Sequence, residues 1–172
     1  DYDFSEPHRH IYFEFFYFIK GGGYHKIDFI KFSIEDNSVH IVAPGQVHQM
    51  KRNLNSEGYV ILFELNALEA AKEIENFLFE HICMDASENK PSYSFNESQK
   101  ELLQNKFKSI SNYSKQDSEI SKLSLRNEIQ SLCIECMKLD NKESTYVNQS
   151  EYLRFRKLLH ANCTTMKKVK EY

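Results

Sequence analysis

The side chains best suited to chemistry stand near the start of the chain: His8, His10 and Glu14, with His48 further along. Alternate residues of an extended segment share a face, so His8 and His10 are expected about 7 Å apart and pointing the same way. Two imidazoles so placed can reach one metal ion at about 2.0–2.1 Å. The same four groups can instead hydrogen-bond one another or hold a bound organic molecule. The intervening residues weigh against the ion. Ile11-Tyr12-Phe13 favours uninterrupted strand, along which Glu14 lies about 13 Å beyond His10 unless the chain bends or bulges. By parity with His8 and His10, the inward set on this strand is Tyr12, Glu14, Phe16 and Phe18. Phe16 and Phe18 are read as interior filling, whereas Tyr12, His10, Glu14 and His48 each carry a polar tip whose burial demands a partner.

The elements that must hold these groups are strands. Turn signals recur every 8 to 14 residues between expected strands at 11–20, 24–34, 39–43, 47–50 and 59–65. The first strand has aromatics at even and odd positions alike, so both of its faces must be covered. A small barrel or jelly roll provides that cover, one face lining the interior and the other lying under neighbouring structure. Gly21-Gly22-Gly23 reads as a hairpin turn. After residue 65 the hydrophobic period changes from two to about 3.6. One helix is expected over 66–83, capped by Asn66 with Glu69 at N3 and burying Leu68, Ala71, Ile74, Leu78 and Ile82. A polar loop follows over 85–94. A second helix starts near Asn96 and uses Leu103, Phe107 and Ile110. A third, 118–139, carries a seam of Leu125, Ile129, Leu132, Cys136 and Leu139 that suits a neighbouring helix in this chain or in a partner subunit. A last helix, 149–161, is expected to bury Tyr152, Phe155 and Leu159. The fold class is therefore mainly β with C-terminal helices, divided at 1–65 and 66–172.

Composition narrows the function classes. With 172 residues, 41% hydrophobic content and only 5 Gly and 3 Pro, the chain is neither collagen-like nor disordered. It contains no stretch of about 18 uncharged apolar residues to span a bilayer. Four scattered cysteines suit a reducing cytoplasm better than a disulfide framework. The lone Cys133-x-x-Cys136 falls inside an expected helix and is read as packing. Residues 151–172 hold six basic against two acidic side chains, while residues 1–150 carry a net charge of −7. A basic end on an acidic body hints at a polyanion-facing part beyond it. His25, His40, His81 and His160 show no matching spacing. No catalytic Ser-His-Asp pattern and no phosphate loop is visible.

The pattern His8-x-His10-x3-Glu14-x6-Gly21, followed by Pro44-Gly45-Gln46-Val47-His48, resembles the cupin family of jelly-roll barrels. Within it, residues 7–14, 23–29, 43–48 and 58–63 look like the N-terminal effector domain of AraC-family transcription regulators. Residues 152–159 and 167–172 resemble the segment that enters their DNA-binding domain. This resemblance implies a cupin-like double-stranded β-helix that binds a small effector, a sugar or another metabolite, at His8, His10, Tyr12, Glu14, Tyr24 and His48. It implies a homodimer through helix 118–139, and promoter DNA bound by a helix-turn-helix domain that should follow Tyr172. The expected domain uses no catalytic residues and no cofactor. A divalent metal on His8, His10, Glu14 and His48 is the alternative occupant, in which case the chain would be a metal-dependent oxygenase or isomerase.

Overall fold

A computed structural model describes residues 6–83 and 90–139, together with residues 155, 158, 159, 162 and 168. Among these residues seven strands follow one another as β1 (Phe13–Lys20), β2 (Gly23–Ile27), β3 (Ile30–Ser33), β4 (Ser38–Val42), β5 (His48–Arg52), β6 (Glu57–Phe63) and β7 (Ser92–Ser94). They form two antiparallel sheets, one ordered β6-β1-β4-β7 and the other β3-β2-β5. Among the described residues no ladder between named strands joins one sheet to the other, so a closed barrel is not formed by these pairings. The helices are α1 (Leu65–Leu68), α2 (Lys72–Cys83), α3 (Glu97–Tyr113) and α4 (Glu119–Leu139).

β1 explains the layering. Six consecutive residues, Phe13 to Phe18, are buried, as a strand with two covered faces requires. Phe16 and Phe18 meet Ile27, Ile34, Val42 and Met50 between the sheets. Phe13, Phe15 and Tyr17 point the other way, into a larger core with Leu78, Leu103, Phe107 and Leu132 of the helices. β7 pairs with β4, so a strand from beyond residue 65 completes the first sheet.

Several local expectations are corrected. The glycine turn makes no hairpin: β1 and β2 belong to different sheets, and Gly22 and Gly23, at φ of 108° and 93°, carry the chain across. A Cβ at Gly23 would overlap the Lys51 carbonyl. The expected strand 24–34 is a hairpin, reversed at Asp28-Phe29 where both residues have positive φ. Asp28 tolerates that conformation, and its carboxylate accepts from Gln46 Nε2 at 2.7 Å and Val47 N at 3.2 Å. The helix expected over 66–83 is broken at Glu69, a left-handed C-cap, so Asn66 is no N-cap and Ala71 is exposed.

The later helices match their signals. Asn96 and Gln99 form a reciprocal capping box at the start of α3, which buries Leu103, Phe107 and Ile110. In α4, Ile129, Leu132 and Cys136 are buried and Leu125 and Leu139 half-buried, all against this chain's own core. The seam is thus satisfied within the chain, leaving Ile120, Leu123 and Ile134 as the exposed apolar residues of α4. Burial pushes the Cys133 and Cys136 thiols up, as suits packing residues. Residues 155, 158, 159 and 162 are helical, and Phe155 is exposed rather than buried. Tyr152 lies outside the described residues. No helix among the described residues is long and apolar enough to cross a membrane.

Candidate functional site

The bend that the sequence argues against is present. Residues 11 and 12 depart from strand geometry, Ile11 turns out to 84% exposure, and the regular ladder begins only at Phe13. His10 therefore folds back over Glu14, its Nε2 3.0 Å from Glu14 Oε2. His48, the first residue of β5 in the facing sheet, places its Nε2 3.4 Å from the same oxygen. Pairing between residues 8 and 48 fixes the approach: His8 N donates to His48 O at 3.0 Å and His48 N to His8 O at 2.8 Å. Both Glu14 and His48 side chains are fully buried, and that of His10 nearly so.

Hydrogen bonding decides which nitrogens face the centre. His10 Nδ1 lies 2.7 Å from Tyr12 O, and a carbonyl only accepts, so Nδ1 carries the hydrogen. A neutral His10 then turns a lone pair toward a carboxylate oxygen at 3.0 Å. Two acceptors at that distance need a proton or a cation between them. The ligand atoms of His10, Glu14 and His48 all lie within 4.8 Å of one another. Atoms bound to one ion at about 2.0–2.2 Å stand roughly 3–4 Å apart, so small side-chain shifts would close this N,N,O set on a divalent transition metal.

Of the six residues expected at a ligand site, His10, Glu14 and His48 converge and two more flank them. Tyr12 stacks on His10 with ring centroids 4.2 Å apart. His8 stands 4.2 Å from the His48 ring and 6.3 Å from that of His10, outside the converging trio. Its Nδ1 donates to Glu6 O at 3.0 Å. Tyr24 does not join them. It alternates with buried His25 on β2 and so faces the opposite side of that sheet, with the Lys31 ammonium 4.1 Å over its ring.

Two histidines that spacing did not single out extend the site inward. His25 Nε2 lies 3.1 Å from His48 Nδ1, and His40 Nδ1 lies 3.3 Å from His25 Nδ1. Both are completely buried, packed edge-on against Phe16 and Phe18. The signal available for them was parity, since His25 shares a face with Ile27 and His40 with Val42. It was masked in β4, where every residue is buried. Burial, then the neighbouring imidazoles, hold His25 well below the usual histidine range. Burial takes His40 down to about 4, with Lys90 adding to the effect. Burial also takes His48 down to about 4, against the opposing pull of Glu14. His25, His40 and His48 are thus neutral near pH 7.

The sandwich interior also opens to a cleft of about 110 Å³ lined by Phe16, Phe18, Met50, Arg52, Tyr59 and Val60. Aromatic and apolar walls beside a polar cluster are the usual make-up of a small-molecule site. Among curated proteins, none matches the chain. The family model of the AraC-like ligand binding domain matches residues 1–126, a span that takes in all seven strands and the polar cluster between the sheets, and the chain belongs to that family.

Proposed function

We propose that this chain is the ligand-sensing part of an AraC-family transcription regulator. AraC-type ligand-binding domains are regulatory rather than catalytic. A small polar metabolite, such as a sugar, binds between the sheets against His10, Tyr12, Glu14 and His48, its apolar face on the aromatic walls. The observation that carries this reading is the wholly buried Glu14–His48 contact between the two sheets, because polar groups so placed oppose folding unless something uses them. In this reading the strands form a cupin-like jelly roll, residues 66–172 link and dimerise, and a helix-turn-helix domain beyond them reads promoter DNA. With the α4 seam occupied in-chain, a dimer through α4 would use Ile120, Leu123 and Ile134.

The ligand must bind one arrangement of sheets and helices better than another for this to regulate anything. Thermal unfolding against a panel of monosaccharides tests the binding step. A true effector at 100 times its Kd adds about 2.7 kcal/mol of stability, an effect lost in Glu14→Gln. In the regulator with its DNA-binding domain, the same effector changes promoter occupancy. An effector that stabilises wild type and Glu14→Gln alike, or leaves promoter occupancy unchanged, defeats the reading.

The His10–Glu14–His48 trio supports a second reading, a metal-dependent cupin enzyme. A divalent ion held there would supply a Lewis acid with open positions for substrate. Elemental analysis of protein purified without chelator or affinity-tag nickel separates the two: about one equivalent of metal, lost in His10→Ala, together with turnover in oxygenase or isomerase assays, favours the enzyme.

A further inference from the structure

Behind His48 the imidazoles continue inward, and their tautomers are locked together. A neutral imidazole has one N–H and one lone pair, so each contact in the row His48–His25–His40 holds one proton. If His48 Nε2 offers a lone pair to the centre, its hydrogen sits on Nδ1 and His25 Nε2 must accept it. His25 then carries its own hydrogen on Nδ1 and donates to His40 Nδ1, which leaves the hydrogen of His40 on Nε2. In the reverse arrangement every donor becomes an acceptor: His48 Nε2–H faces Glu14 and His40 Nε2 is bare.

The two ends of the row decide between them. At the outer end a carboxylate alone favours an N–H from His48, whereas a cation requires the lone pair. At the inner end His40 Nε2 is buried with no hydrogen-bond partner among the described residues. A buried N–H without an acceptor is rarer in proteins than an acceptor without a donor, so the row without a cation settles in the reverse arrangement. Cation binding then moves all three rings to the other tautomer. The proton on His48 Nε2 leaves to water, the two shared protons each cross to the other nitrogen of their contact, and His40 Nε2 takes one up. Each ring ends with one proton, as it began.

We propose that His25, backed by His40, is a positioning residue for a divalent cation at His10, Glu14 and His48, accepting the His48 Nδ1 hydrogen so that the Nε2 lone pair faces the ion. The proposal rests on the metal-holding reading of that trio. It gives the site a reporter in each sheet, because His25 lies in β2 and His40 in β4. Removing partners that orient a ligating histidine typically costs about 10- to 100-fold in metal affinity.

The test is a Zn²⁺ titration of ¹⁵N-labelled protein, read by long-range proton–nitrogen spectra of the imidazoles alongside the dissociation constant. On saturation the His25 hydrogen should move from Nε2 to Nδ1 and that of His40 from Nδ1 to Nε2. His25→Phe should weaken Zn²⁺ about 10- to 100-fold, and His25→Gln, which restores a polar group near the Nε2 position, should recover most of the loss. Unchanged tautomers of His25 and His40 at saturating Zn²⁺ overturn the proposal while leaving the metal site standing. Wild-type affinity in a folded His25→Phe does the same. Wild-type protein that takes up no Zn²⁺ removes the metal reading and this proposal together. Should His25→Phe not fold, the wild-type tautomers and His25→Gln still decide the matter.

Discussion

The two faces of β1 make a controlled comparison, since one eight-residue strand serves two interiors. Phe13, Phe15 and Tyr17 enter a core shared with the helices, where most neighbours are aliphatic or aromatic. Glu14, Phe16 and Phe18 enter the space between the sheets, where His25, His40 and His48 are buried beside apolar residues. The first interior gains stability from nearly every atom it hides, at roughly 25 cal/mol per Å² of apolar surface. The second hides a carboxylate and a row of imidazoles, groups whose desolvation opposes folding. The contrast places the more stabilising burial on the helix side of the strand and the buried polar groups on the other.

If that division is right, the largest effect on folding comes from the helix side. Phe15→Ala should lose about 3–5 kcal/mol by removing a fully buried ring from close packing, measured by urea unfolding at pH 7. A loss below about 1 kcal/mol would mean that this core is looser than its burial suggests. The histidine side should show itself through pH instead. His40 is held at about 4 in the folded chain against 6.5 when unfolded, so the unfolded chain binds more protons between those values. Stability should therefore be fully present above about pH 6.5 and fall as pH drops toward 4, by up to about 3 kcal/mol from this residue. Comparing unfolding of wild type and His40→Phe at pH 7 and pH 4.5 isolates that share, and equal slopes in the two proteins would refute it. The smallest effect on folding is expected at the site itself. Glu14→Met exchanges a buried carboxylate for an apolar chain of similar volume and should leave stability unchanged or raise it by about 1 kcal/mol. The same variant should abolish Zn²⁺ or effector binding, and a loss of several kcal/mol would show that Glu14 serves the fold after all.

Much of the frame was legible in the residues. The doubled aromatic pattern of β1 required two covered faces because both of its alternating sets are apolar, and both are covered. Asn96 with Gln99 announced the start of α3 through capping chemistry that is local in sequence. Local signals failed where two of them competed. Glu69 suited a capping box yet sits in a left-handed turn, and Asp28-Phe29 reverse the chain with no glycine to mark the place. The glycine run gave its turn but not its destination, since a turn residue carries no information about which strand comes to lie beside the next.

The site divides along the same line. His10, Glu14 and His48 were nominated by residue type together with the family resemblance, since along a straight strand Glu14 lies out of reach of His10. Tyr24 failed for want of a register, since strand parity assigns a face only once one residue of that strand has been placed. His25 and His40 stayed hidden for the complementary reason: they lie 15 residues apart on strands of different sheets. What the chain determines by itself is the chemistry of each residue and the period of each segment, both properties of near neighbours. Only the tertiary structure decided that residues 11 and 12 bend, that Glu14 meets two histidines and that three imidazoles share protons in a row, because these depend on two sheets packing face to face, a condition that no local segment contains.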